Sequence, residues 1–226
     1  MTTRTSGPTS GRTTILLTGF GPFPRIPVNA TMQLVPTLAE RARGKFPGVV
    51  VVTEILPTEW VAAPQRLAQI MRETEPDIAI HFGVSPRARG FEIETRAVNR
   101  CADAADACGT MPVHACVDPD GPDLLRTLLP AAEIVRRLRA QNIPAFQSRD
   151  AGTYLCNAIL YAALDHARDH GDDLQCGFIH IPARVTADAG VTRQAAYLGS
   201  PGPSPLTWDQ TIIGGLEIIA TCLGRR

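Results

Sequence analysis

Runs of aliphatic residues alternate along this chain with segments whose apolar residues recur every three or four positions. Thr13 to Gly19 is a short apolar run closed by glycine, and Val49 to Leu56 is almost wholly β-branched or aliphatic, closed by Pro57. Asp77 to Gly83 and Cys176 to Pro182 have the same character, each with a histidine near its end, His81 and His180. Continuous runs of this kind predict strands buried on both faces. Helical spacing recurs from Asn29 onward (Met32, Leu34, Val35, Leu38), over Trp60 to Thr74 and over Pro130 to Ala140. It returns over Leu155 to Ala167 and over Leu206 to Leu223, the last followed by Gly224. Ile143 to Gln147 is a further strand. Gly90 to Asn99 alternates like one, with Glu92 and Glu94 on one face and Phe91, Ile93 and Thr95 on the other. Strands alternating with helices at this spacing predict an α/β fold, a three-layer α/β/α sandwich around a mostly parallel twisted sheet in a single domain.

Three stretches break the pattern. Residues 1–12 are rich in Thr, Ser, Gly and Pro and lack an apolar centre, so they read as a disordered tail on a domain spanning 13–226, without the features of a signal or transit segment. From Arg100 to Asp123 the periodicity dissolves into Cys, Ala, Asp, Gly and Pro, which predicts either a functional lid or a pair of short strands. Arg184 to Pro205 is loop-like.

Composition narrows the partners. The 22 basic and 22 acidic residues cancel, and the basic ones are scattered rather than gathered into a stripe, which argues against nucleic acid. No apolar run has the length of a membrane span. The six cysteines (101, 108, 116, 156, 176, 222) include no C-x-x-C pair, and the first three are too irregularly spaced for a zinc knuckle. These features predict reduced thiols, a cytoplasmic protein and no metal or other cofactor.

Candidate chemistry gathers at the start of one helix. Ser148 and Asp150 are possible N-caps for the segment beginning at Leu155, which puts Cys156 within its first two turns. Unpaired backbone N–H groups and the positive end of the helix dipole favour a thiolate there, whereas a free cysteine, with a pKa of about 8.5, is mostly protonated at neutral pH. A thiolate paired with an imidazole that a carboxylate orients is the logic of nucleophilic thiol catalysis. On residue chemistry alone, His81 and His180 compete for the imidazole, and Glu92 and Glu94 for the carboxylate. Phe20 and Phe23 sit in a tight turn after the first strand. They predict either core packing or an apolar wall at the carboxyl end of the sheet, where ligands of open α/β sheets bind. The glycines of that turn do not follow G-x-G-x-x-G, so a dinucleotide fingerprint is excluded.

Four stretches, in order, resemble the pyroglutamyl peptidases (pyrrolidone-carboxylate peptidases) of the cysteine type. Leu17-Thr18-Gly19-Phe20-Gly21-Pro22-Phe23 with Asn29 is similar to the family's opening T-G-F-x-P-F…N. Gly83, Glu94 and Asn99 fit G…E-x-x-A-x-N. Ser148-x-x-Ala151-Gly152-Thr153-x-x-Cys156-Asn157 fits the nucleophile motif, and Gly177 to Pro182 the histidine strand. The resemblance implies removal of an N-terminal pyroglutamyl residue from peptides through a thioester. Cys156 would be the nucleophile, His180 the acid/base partner and Glu94 the carboxylate that orients it. Phe20 and Phe23 would flank the lactam ring and Asn29 would help set the polar contacts, leaving His81 and Glu92 structural or surface roles. A homo-oligomer is implied as well. An uncharged pyroglutamyl group calls for apolar walls, a few amide partners and no counter-ion.

The chain departs from the family twice. Where the family commonly carries D-A-R-I-P, with an arginine associated with oxyanion stabilisation, Cys101 to Met111 contains no arginine. Arg89, Arg96 or backbone N–H groups would have to serve, and loss of one oxyanion donor can cost about 3 kcal/mol. The family's Gly-Gly after P-F is Pro24-Arg25 here. Two rival readings follow. One is a non-catalytic lactam- or peptide-binding module. The other is a nucleoside phosphorylase-like enzyme, which would need an anion cradle of glycines and arginines that these residues do not assemble.

Overall fold

The structure, a computed structural model, describes residues 12–23, 28–170, 174–183, 185 and 205–225. Residues 1–11 of the predicted tail, the Pro24–Arg25 pair and nearly all of the 184–205 loop lie outside them.

The predicted strands and helices are present in the predicted order. β1 (Thr13–Phe20), β2 (Val49–Leu56), β3 (Ile78–Ser85) and β8 (Gln175–Pro182) are the long apolar runs, and they lie parallel and adjacent. The helices are α1 (Thr31–Lys45), α2 (Ala62–Thr74), α3 (Ala131–Ala140), α4 (Leu155–His170) and α5 (Trp208–Cys222). With β4 (Phe91–Glu94) and β7 (Ala145–Ser148) the main sheet has the order β2-β1-β3-β8-β4-β7. β4 runs antiparallel to β8 and parallel to β7, so the sheet is mixed at that edge.

Alternation along the strands sorts side chains onto two cores. Ile15, Leu17, Ile80, Phe91, Ile93, Ile179 and Ile181 pack beneath α1, α3 and α5. Leu16, Phe20, Ala79 and Phe178 face α2 and α4. With a period of two, His180 must share the face of Phe178, and Glu92 and Glu94 the face opposite Phe91 and Ile93. All three therefore point to the layer that carries α4.

Two expectations need correction. The single strand over Gly90 to Asn99 is two: at Thr95 the chain leaves the main sheet, and β5 (Arg96–Val98) pairs antiparallel with β6 (Leu124–Arg126) in a separate ribbon. Thr95 marks the break, its N–H and hydroxyl both donating to the Ser148 carbonyl, at 2.8 and 2.7 Å. The irregular stretch between β5 and β6 holds no strand of its own; the short pair brackets it. Second, Ser148 and Asp150 do not cap α4. Ser148 Oγ accepts from Asp150 N at 3.2 Å and Asp150 Oδ1 from Gly152 N at 3.0 Å, and the chain reaches the helix through Gly152 at φ +75°. That left-handed conformation is costly for residues with a Cβ, which accounts for a glycine there. The predicted N-cap chemistry is instead found at α5, where Thr207 and Gln210 form a reciprocal capping box.

Candidate active site

Cys156 is the second residue of α4, where backbone N–H groups have no carbonyl in a preceding turn to bond. Asn157 fixes that helix start. It is buried, its Oδ1 accepts from Val98 N at 2.9 Å, and its Nδ2 donates to Val98 O at 2.8 Å and Arg100 O at 3.1 Å, clamping α4 to β5.

From the adjoining strands come the other groups. His180, near the end of β8, is 6% exposed, and Glu94, at the end of β4, is 0% exposed. His180 Nδ1 donates to Glu94 Oε1 at 2.8 Å, and the ring shares a side-chain hydrogen bond with Cys156. Burial opposes a charge on this imidazole. The Cys156 sulfur and the Glu94 carboxylate outweigh it and lift the His180 pKa to about 10. With Nδ1 committed to Glu94 and the ring hydrogen-bonded to Cys156, the cluster is built to hold and pass a proton. Glu94 Oε2 is buried and has no partner among the described residues.

His81 is placed elsewhere. It is wholly buried, with Nδ1 2.8 Å from Thr18 Oγ1 and Nε2 3.8 Å from Cys176 Sγ, and burial lowers its pKa to about 4. Burial also pushes the Cys176 thiol up to about 12. This neutral pair packs the core and has no route to a nucleophile's role. Glu92, for which the resemblance implied a structural or surface role, is half-buried and lies beside Glu94 and His180.

The sulfur opens onto a narrow slot lined by Phe20, Phe23, Asn29, Thr58, Val84, Tyr154, Leu155 and Cys156. Both alternatives for the phenylalanine turn hold at once, since Phe20 is buried against Phe178 and also forms slot wall, while Phe23 faces Tyr154 with centroids 6.5 Å apart. Asn29 Nδ2 and Thr58 Oγ1 both donate to the Gly21 carbonyl, at 3.2 and 3.1 Å, and so hold the turn after β1 rigidly under the slot. No charged side chain lines the slot among the described residues. Arg96 donates its Nε to the Arg149 carbonyl at 2.7 Å, and neither it nor Arg89 reaches the lining.

Sequence reasoning missed Tyr154, Thr58 and the anchor of the 100–111 loop. Tyr154 OH donates to Ala105 O at 3.0 Å, Trp60 Nε1 to Ala104 O at 2.9 Å, and Ala107 N to Thr58 O at 2.9 Å. Asp106 ties the loop from within: Oδ2 accepts from Trp60 N and Oδ1 from Cys108 N and Thr110 N. Burial disfavours its charge, but backbone donors led by Trp60 hold the carboxyl below its ordinary pKa. The available signal was an aromatic two residues before Cys156; nothing local marked Asp106.

Gly83 packs closely against the Phe178 ring and the Cys156 sulfur. A Cβ there would meet Phe178 Cζ at 2.6 Å and Cys156 Sγ at 3.1 Å. Gly83→Ala is expected to displace the sulfur and lower kcat/KM by about 100-fold while the protein still folds, since sub-ångström to 1 Å misplacement costs that much. Steady-state kinetics beside a thermal melt check it.

Comparisons with known proteins identify the family. The profile of the family described as pyroglutamyl peptidase matches residues 13–215. The chain is 34% identical over 215 residues to pyrrolidone-carboxylate peptidase 1 of Ralstonia nicotianae, covering 94% of each. It is 30% identical over 210 residues to the pyrrolidone-carboxylate peptidase of Bacillus cereus, covering 92% of this chain and 93% of that one. Among solved structures, a mutant pyrrolidone carboxyl peptidase from Pyrococcus furiosus superposes with a TM-score of 0.81 at 29% identity, over 93% of this chain and 98% of that one. Pyroglutamyl peptidase I of Bacillus amyloliquefaciens gives 0.80 at 29% identity, over 93% and 97%. A matching profile over most of its length, full-length relatives and a shared fold place this chain in the pyroglutamyl peptidase family.

Proposed function

We propose that Cys156, His180 and Glu94 form the working triad of a thiol peptidase that removes N-terminal pyroglutamate from peptides, with Phe20, Phe23 and Asn29 shaping the substrate slot. The observation that carries this reading is the Cys156 sulfur at an uncharged, aromatic-walled slot, hydrogen-bonded to an imidazole that Glu94 orients. The same contact favours an enzyme over a binding module, since a module has no use for an activated sulfur.

A pyroglutamyl ring brings no α-ammonium, so a slot without a counter-ion accepts it, whereas an ordinary charged N-terminus would be stripped of water without compensation. The Cys156 thiolate attacks the carbonyl of the pyroglutamyl residue. Backbone N–H groups at the start of α4 face the developing oxyanion in place of an arginine side chain. Collapse breaks the amide bond as His180 delivers its proton to the leaving amine. Neutral His180 then takes a proton from water, which hydrolyses the thioester and frees pyroglutamate and the thiolate.

Pyroglutamyl-7-amido-4-methylcoumarin in reducing buffer tests the reading. It should be cleaved, and the glutaminyl analogue, with its charged amine, at least about 100-fold less efficiently. Well-folded protein that leaves the pyroglutamyl substrate intact would reject it. The free state of all six cysteines supports a reducing, cytoplasmic setting, and no helix among the described residues is long and apolar enough to cross a membrane. Light scattering separates the homo-oligomer expected from the resemblance from a monomer.

A further inference from the structure

Glu92 is an ionisable group at this centre that the triad does not use. It occupies β4 two residues before Glu94, and in the antiparallel pairing of β4 with β8 its direct partner is His180. One atom from each of Glu92, Glu94 and His180 lies within 4.8 Å of the others. Two carboxylates this close repel each other, and in a half-dry setting the repulsion is large unless a cation stands between them. The imidazolium of His180, from which Glu94 Oε1 accepts at 2.8 Å and which lies directly across the strand pair from Glu92, is the cation placed to relieve it.

We propose that Glu92 is a second carboxylate of the catalytic centre, a positioning residue whose negative charge holds His180 protonated and so sustains the thiolate–imidazolium pair. This deepens the triad reading and rests on His180 being its base. By linkage, protonation of His180 and ionisation of Glu92 favour each other by the same amount.

The surroundings of Glu92 fit that role. Burial raises its pKa, His180 lowers it, Glu94 raises it, and the backbone N–H of Arg89 and the charge of Arg87 lower it, leaving it above the ordinary carboxylate value. Among the described residues, these groups on β4, β8 and the turn before β4 are the ones that act on it. A carboxyl group left raised in this way is still ionised at alkaline pH, where His180 gives up its proton. Its charge therefore counts at the basic limb and fades on the acidic side, where Glu92 takes up its own proton.

The test compares wild type with Glu92→Gln, which keeps the shape and the acceptor for Arg89 N–H but removes the charge. The readouts are NMR titration of the His180 imidazole and the pH profile of kcat/KM. In Glu92→Gln, the His180 titration and the basic limb should both move down by about half a unit to one unit. The acidic limbs should converge, and Glu92→Asp should restore most of the shift. An unmoved His180 titration in folded Glu92→Gln overturns the proposal, even if activity falls, because that outcome marks a merely structural residue. Should Glu92→Gln not fold, Glu92→Thr, whose β-branched side chain suits a strand, carries the same expectation. The NMR measurement needs no turnover, so failure of the peptidase reading and failure of this one are told apart.

Discussion

Cys156→Ala should lower kcat/KM for pyroglutamyl-7-amido-4-methylcoumarin by about 10⁴-fold or more, with little change in thermal stability. The magnitude follows from the chemistry. With no sulfur there is no thioester route, and the residual rate is what slot binding and the backbone N–H groups supply, as when other peptidases lose their nucleophile. Stability should hold because Cys156 is only partly buried and faces the slot, so its removal widens a space that is already open. Cys156→Ser should be nearly as inactive, since a hydroxyl does not ionise beside this imidazole as a thiol does. Cys176→Ala is the control. It deletes a buried sulfur against His81 and should cost stability while leaving kcat/KM within a few-fold of wild type. Equal loss of activity in the Cys176 and Cys156 variants would mean the sulfur has been misassigned.

Glu94→Gln should lower kcat/KM by about 10³- to 10⁴-fold, the range seen when the carboxylate of a triad becomes an amide. The amide fills the same buried space but can present its NH₂ to Nδ1, which selects the wrong tautomer and withdraws the charge that supports the imidazolium. The variant also has a signature in the pH dependence of stability. In the wild type the folded His180 pKa, about 10, lies above the unfolded value of about 6.5. Protonated His180 therefore contributes stability in full below about pH 6.5, and that contribution is lost as the pH rises towards 10. In Glu94→Gln the His180 pKa falls, so the window narrows from its alkaline side. Thermal melts between pH 6 and 10 should show the variant losing stability at lower pH than wild type. Coincident curves would show that Glu94 does not support the charge on His180.

How far the sequence could be followed depended on whether a residue's role was set by its neighbours in the chain. The β1, β2, β3 and β8 runs were legible because a strand buried on both faces writes itself as an unbroken apolar run, and the helices because one apolar face repeats. The β4–β5 break was not legible. Alternation continues unbroken through Thr95, and only the distant Ser148 carbonyl shows where the chain changes sheets. β6, three residues long, carries no periodicity to detect. Ser148 and Asp150 had the right chemistry for caps but spend it on the turn that Gly152 completes. At the site, Cys156 could be found from its place at a helix start, whereas the choice of His180 over His81 came from the resemblance alone. The structure supplies a physical reason for it: parity puts both histidines on the α4 face, but only His180 lies at the carboxyl end beside Glu94. Glu92 was set aside because the weight of a second carboxylate depends on what lies across the strand pair, which no local pattern records.

The Asp106 anchor has a consequence for acid exposure. A carboxyl held below its ordinary pKa by backbone donors stabilises its loop above that ordinary value and releases it as the pH falls through the lowered one. Once protonated, Asp106 accepts more weakly from Trp60, Cys108 and Thr110, and the 100–111 segment loses the pin that keeps it against Trp60 and Tyr154. On acidification, the segment that backs Tyr154 and Thr58 would loosen before the sheet, so such a protein would lose its grip on substrate while most of its architecture was still intact.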